Sequence, residues 1–77
     1  MSSSLHTKRY EQFRNLLIDK RKEAGLTQED VARKLSKPQS FVSKYEKGER
    51  RIDLIEFIDI AEAIGFDPLA LIVQICS

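Results

Sequence analysis

Three residues, Ser36-Lys37-Pro38, do most to limit what this chain can fold into. They interrupt a stretch that otherwise favours helix and leave two pieces, residues 28–35 and 38–47, each too short to be stable except by packing. Pro38 disfavours a helical Lys37 and is itself suited to the first turn of the helix that follows. Two short helices joined by so tight a break have to cross and share a buried face. Val31, Ala32 and Leu35 supply that face on the first piece, Val42 and Tyr45 on the second, and the small Ala32 stands where the crossing must be close.

The flanking sequence is punctuated for more helices. Upstream, Tyr10, Phe13, Leu17 and Ala24 recur at helical spacing, joined by Leu16, and predict a helix over residues 8–24. Gly25 ends it as a left-handed cap with Leu26 as its apolar partner. Thr27 then reads as an N-cap, with Glu29 and Asp30 in the first turn, where the helix dipole favours acids. Downstream, the second short helix stops at Gly48 and residues 49–52 form a loop. Asp53-Leu-Ile-Glu56 resembles a capping box and opens a helix that ends at Ile64, before Gly65. Asp67-Pro68 is an N-cap followed by Pro at the first helical position, and it opens a last helix over residues 68–76. Period-two alternation and hairpin turn dipeptides are both absent. The expected fold is all-α: one five-helix domain over residues 8–77, after a flexible lead-in of residues 1–7.

The net charge of +1 hides a division. All thirteen Lys and Arg lie in residues 1–51 beside seven acids, a balance of +6, whereas residues 52–77 hold five acids and no Lys or Arg. Such a split points to one surface that meets a polyanion and another turned away from it; the competing explanation is chance segregation of ordinary surface charge. At 100° per residue, the helix over residues 38–47 puts Val42, Tyr45 and Glu46 on one side. Ser40, Ser43, Lys44 and Lys47 fall on the other, with Gln39 at the open N-terminal end. That outward face is amide, hydroxyl and ammonium with no acid, the residue types that read base edges or hold phosphates. Arg50 and Arg51 follow in the loop, where phosphate contact is expected ahead of plain solvation, as it is for Lys47. Phe41 is expected to pack under this loop in preference to stacking on DNA.

Leu26-Thr-Gln-Glu-Asp-Val-Ala-Arg-Lys-Leu35, then Gln39-Ser-Phe-Val-Ser-Lys-Tyr-Glu-Lys-Gly48, then Leu54 through Ala61-Glu-Ala-Ile-Gly65, resembles the lambda-repressor-like (Cro/Xre-type) family over about residues 8–72. The resemblance implies a helix-turn-helix over residues 27–48 whose third helix lies in the major groove of double-stranded DNA. It implies base contacts from Gln39, Ser40 and Lys44, and more weakly from Ser43. It also implies that Gln28, beside Thr27 at the start of helix two, holds a backbone phosphate through its side chain and the helix N-terminus. Arg21 and Glu46 are implied to face each other as a partly buried ion pair; the alternative is two separate surface charges. Two departures stand out: Ser36 where the family usually has a left-handed Gly, and Pro38 where it usually has a capping Ser or Thr.

The last helix is apolar nearly all round, with Gln74 its one polar residue. A terminal helix gives one face to its own core, so the other face needs a partner. A homodimer through Leu69, Ile72, Val73, Ile75 and Cys76 is the expected partner, since twofold dimers are the commonest oligomers. A membrane-surface helix would carry basic residues, and this one has none. Nor does any run of apolar residues reach membrane-spanning length. Residues 1–7 lack the apolar core of a signal peptide, so a cytoplasmic location is expected.

Enzyme chemistry is not expected: there is no Ser/His/Asp set, no paired-carboxylate cleft and no Gly-rich phosphate loop. His6 has no second metal ligand nearby. Cys76 is the one cysteine, which excludes a disulfide framework and reads as a small hydrophobe ahead of a redox sensor. No metal, cofactor or small-molecule ligand is expected. The function expected is a transcriptional regulator acting as a homodimer on an inverted-repeat operator. Its rival is an antitoxin-like or bridging module whose main partner is another protein.

Overall fold

Local signals at the helix ends decide where each element starts and stops. The computed structural model describes residues 7–77, with His6 and the rest of the first six residues outside that range. It contains α1 (Lys8–Glu23), α2 (Gln28–Leu35), α3 (Gln39–Lys47), α4 (Leu54–Ile64) and α5 (Pro68–Cys76), and no strand among the described residues. Thr7, expected in the lead-in, instead caps α1, its hydroxyl accepting from the Tyr10 amide at 3.1 Å. Ala24, expected inside the helix, follows it and is exposed. The reason is the reversal at Gly25 (φ 72°): Leu26 N donates to Arg21 O at 3.1 Å and Gly25 N to Lys22 O at 3.0 Å, which turns the chain away one residue early.

Thr27 and Asp30 form a reciprocal capping box at the start of α2, and Asp53 and Glu56 form another at α4. Asp67 accepts from the Leu69 amide at 3.0 Å, with Pro68 at the first helical position of α5. Pro38 departs from expectation. It lies outside α3 as the N-cap, extended at ψ 154°, and makes no side-chain cap. The ring fixes φ but leaves ψ free, and in this conformation its carbonyl still accepts from Phe41 N at 2.9 Å.

α2 packs against α3 and α4, α1 against α3 and α5, and α4 against α5. The core is Leu17 of α1, Val31 and Ala32 of α2, Val42 and Tyr45 of α3, Phe57, Ile60 and Ile64 of α4, and Leu71 of α5. Burying a side chain the size of Leu17 or Ile60 stabilises the fold by about 1.5–3 kcal/mol. Phe13 meets Tyr10 and Phe57 edge-on, at centroid distances of 5.5 and 5.4 Å. Ile75, expected at an intermolecular interface, packs instead on the domain's own core, because it stands one turn after the buried Leu71 on the same face of α5. No helix among the described residues is long and apolar enough to cross a membrane.

Ser36 ends α2 at φ 56°, ψ 42°, the one non-glycine with positive φ among the described residues. Lys37 N donates to Ala32 O at 2.9 Å across it, so the left-handed turn is required for the break between α2 and α3. A β-carbon is strained there. Ser36→Gly is therefore expected to raise stability by up to about 1 kcal/mol, read as a higher denaturation midpoint. An unchanged or lower midpoint would show that Ser36 carries no strain.

Candidate nucleic-acid interface

The buried side of α3 fixes its exposed side. Val42, Tyr45 and Glu46 are buried, Ser43 is half-buried, and Gln39, Ser40, Lys44 and Lys47 are exposed. Glu46 is a carboxylate among core residues, its side chain 5% exposed against 12% for Arg21. Arg21 grips both of its oxygens, Nε to Oε2 at 2.7 Å and Nη2 to Oε1 at 3.1 Å. The third guanidinium nitrogen donates to Leu26 O at 2.9 Å, tying the α1–α2 turn into the same fork. The hydrogen bond to Glu46 raises the Arg21 pKa against the opposing effect of desolvation.

From Glu46 the contacts run outward. Gln28 Nε2 donates to Glu46 Oε1 at 2.8 Å, and Gln39 Nε2 donates to Gln28 Oε1 at 2.8 Å. Gln28 and Gln39, expected at a phosphate and a base edge, thus lie side by side at the adjoining ends of α2 and α3. Together with Arg21, Leu26 and Thr27 they line an open hollow. Thr27 accepts the Asp30 amide at 3.0 Å, which leaves its O–H able to donate. Hydrogen bonds from the Thr27 backbone amide and side chain hold the Asp30 carboxyl below its ordinary pKa.

One side chain that supports this surface went unremarked in the sequence. Arg14 Nη1 donates to the carbonyl of Glu46 at 2.8 Å, a cation on the last turn of α3 where the helix dipole favours one. Its guanidinium lies so close under Gly48 that a β-carbon there would stand 3.0 Å from Cζ, and Gly48 has φ 82° besides. An arginine on the first helix at helical spacing from Arg21 was the available signal, but nothing in the sequence says that it reaches α3.

The α3–α4 loop also differs in part from expectation. Arg50 is engaged within the protein: Nη1 and Nη2 meet the two oxygens of Glu56 at 2.9 and 2.7 Å, and Nη1 also meets Arg51 O at 2.8 Å. Its guanidinium lies 4.7 Å from the centroid of Phe41, which is half-buried beneath the loop. Arg51 is exposed, 5.5 Å over the Tyr10 ring, and Ile52 N donates to Tyr10 Oη at 3.1 Å. The loop is thus pinned from both sides, with Arg51 exposed and the paired Arg50 side chain 40% open to solvent.

The Arg50 guanidinium, helped by the Asp53 amide, pulls the Glu56 carboxyl down to about 2. A carboxyl depressed on folding adds stability that is present above its unfolded pKa and lost as pH falls toward the folded value. Acid unfolding is therefore expected to include a loss of stability between about pH 4.5 and pH 2 that Glu56→Gln removes. An identical acid limb in the variant would place the depressed carboxyl elsewhere.

The chain is similar to known proteins along the same outline. A family profile described as helix-turn-helix matches residues 17–71. An uncharacterised helix-turn-helix-type transcriptional regulator, y4dJ, of Sinorhizobium fredii is 35% identical over 52 residues, 68% of each chain. An XRE-family like protein from Pseudomonas syringae pv. tomato superposes with a TM-score of 0.88 at 47% identity, covering 94% of this chain and 88% of that one. The restriction-modification controller protein C.AhdI from Aeromonas hydrophila superposes with a TM-score of 0.73 at 29% identity, over 80% of this chain and 94% of that one. With the family's fold and its matched span both present, this chain belongs to the lambda-repressor-like, Cro/Xre-type helix-turn-helix family of DNA-binding transcriptional regulators.

Proposed function

We propose that the protein acts as a twofold homodimer that sets two copies of α3 into successive major grooves of an inverted-repeat operator and so regulates transcription. The observation that carries this reading is the outer face of α5. Leu69, Ile72 and Val73 are 69%, 38% and 65% exposed. Cys76 is exposed with them, at spacing i, i+3, i+4 and i+7. Leu71 and Ile75 already occupy the opposite face, so the helix has one apolar side in the core and another in water. A second copy covers such a stripe with the same stripe, doubling every favourable contact. Leu54 and Ile55, 65% and 64% exposed at the start of α4, add apolar surface that the sequence pattern had not assigned to any interface. Ile55 stands opposite the buried Phe57–Ile64 side of its helix, and that phase was readable.

In this reading Gln39, Ser40, Ser43 and Lys44 face base edges, and Thr27, Gln28, Lys47 and Arg51 hold phosphates. Arg50 shapes the loop through Glu56. The likeness to a restriction-modification controller supports a regulator of this compact kind. A twofold arrangement spaces the reading helices by about 34 Å, one turn of DNA.

Val73→Glu is expected to split the dimer, because a carboxylate would be buried without a partner. Binding to the two-half-site operator should weaken far more than binding to one half-site. Ile75→Glu is expected to unfold the domain instead, since that side chain points into its own core. Sedimentation equilibrium at micromolar concentration decides the matter. A wild-type chain that stays monomeric overturns the dimer and leaves the α5 stripe to a different protein.

Lys44, Lys47 and Arg51 with their neighbours should displace condensed counterions from the duplex. Affinity is then expected to fall by orders of magnitude between low and moderate salt. A flat salt titration by fluorescence anisotropy would remove the phosphate contacts from this reading.

A further inference from the structure

We propose that a hollow where the start of α1, the loop after α3 and the last turn of α5 meet binds a small apolar carboxylate, and that its occupation loosens the protein's hold on DNA. Thr7, Arg9, Tyr10, Phe13, Arg51 and Ile75 line the hollow, which has a volume of about 310 Å³. These residues come from distant parts of the chain, so no local pattern in the sequence marks them as a set, and no small-molecule ligand is expected from it.

The lining divides by chemistry. Tyr10, Phe13 and Ile75 form an apolar wall, the two rings meeting edge-on at 5.5 Å. Other contacts fix both rings: Tyr10 Oη accepts from Ile52 N at 3.1 Å, and Phe13 meets Phe57 at 5.4 Å. Tyr10 keeps its own O–H as a donor. Arg9 and Arg51 supply the charge. Both are exposed, and neither guanidinium has an acidic partner among the described residues. Arg51 rests 5.5 Å over the Tyr10 ring, which keeps a cation beside the aromatic wall. None of the lining residues is an acid.

An apolar wall beside unpaired cations fits a ligand with a hydrocarbon body and one negative charge. At about the 30 Å³ that a water takes in the liquid, the hollow holds roughly ten non-hydrogen atoms. A DNA phosphate would engage the arginines and leave the rings unused. A carboxylate on an alkyl or aryl body uses both, and its two oxygens match the fork of a guanidinium. The effect on DNA rests on the reading of Arg51 as a phosphate contact. A guanidinium held by a bound carboxylate is lost to the phosphate, and its charge is neutralised where the duplex would meet it. Linkage makes the effect reciprocal, so operator binding weakens the hold on the ligand by the same factor.

The probe is octanoate, titrated at neutral pH into the full chain free of DNA, with octylamine, 1-octanol and butanoate as controls. Octanoate is expected to bind with a dissociation constant of about a millimolar or below. Octylamine and 1-octanol, which lack the anion, should bind at least about tenfold more weakly, and so should butanoate, which lacks most of the apolar body. Arg9→Gln should weaken octanoate about threefold or more. Amide shifts in NMR spectra locate the ligand, and those of Tyr10, Phe13 and Ile75 should move. No binding, equal binding of octylamine, or shifts confined to Leu69, Ile72 and Val73 overturns the site. So does an Arg9→Gln variant that loses operator affinity but keeps octanoate, which would give the arginines to a flanking phosphate. A second arm follows operator binding by fluorescence anisotropy at fixed ionic strength. Saturating octanoate should lower operator affinity about threefold or more in wild type and leave that of Arg51→Gln unchanged. If octanoate fills the hollow and operator affinity holds, the coupling is overturned while the site stands. If Arg51→Gln without octanoate keeps full operator affinity and salt dependence, the reading of Arg51 as a phosphate contact fails on its own.

Discussion

Side chains from α1 and α2 converge on Glu46, a residue of α3. Arg21 and Gln28 hold its carboxylate, and Arg14 holds its backbone carbonyl. Taking a carboxylate and a guanidinium out of water is costly enough that such a pair adds little net stability over apolar residues of the same size. Removing one partner is another matter, since it leaves a buried charge uncompensated at a cost of about 3–5 kcal/mol. The pair therefore behaves as a constraint on geometry. A helix of nine residues has few side chains with which to fix its own angle and rotation. The fork of Arg21 supplies that fix in a direction apolar contacts cannot, because hydrogen bonds are directional and hydrophobic burial is not.

The loop after α3 is governed in a similar way by a more exposed pair. Arg50 lies between Glu56 and the face of Phe41, and the Tyr10 hydroxyl holds the Ile52 amide. Segregation of charge along the chain thus has two sources. Lys44, Lys47 and Arg51 are exposed on or just after α3, as a polyanion partner requires. Arg50, counted with them from its place in the sequence, is bonded across to the acidic third of the chain. A basic residue beside an acidic segment is as well placed to join the two as to stand apart from both.

Helix limits were legible almost to the residue wherever a local rule applied. Thr27, Asp53 and Asp67 are N-caps because a short acceptor side chain precedes helix-forming sequence, and Gly25, Gly48 and Gly65 are left-handed where helices stop. The errors fall where a residue satisfied two rules at once. Pro38 suits both the first helical position and the extended residue before it, and the chain leaving left-handed Ser36 takes the second. On α5 nearly every side chain is apolar, so periodicity carried no phase: the core claims Leu71 and Ile75, and only packing shows it. The grip of Arg14 on α3 and of Arg50 on Glu56 depends on the reach of long flexible side chains, 32 and 6 residues away along the chain, which no local pattern encodes.

α1 acquires a mechanical role from these contacts. It packs on α3 on one side and on α5 on the other. Toward α3 it sends Arg14 and Arg21. Toward α5 it presents Phe13 beside Ile75, and Gln12 Nε2 donates to the Gln74 carbonyl at 3.2 Å. In a dimer joined through α5, the distance between the two reading helices is set by this path and its twofold copy. B-DNA repeats about every 34 Å, and a recognition helix displaced along the groove meets different bases. Slack anywhere between α5 and α3 would therefore weaken the hold on two half-sites at once. Polar contacts at both sides of α1, directional and short, limit that slack more tightly than a purely apolar α1 would. Its length serves the same end: sixteen residues let one rigid helix span from the Gln74 carbonyl to the buried carboxylate of Glu46.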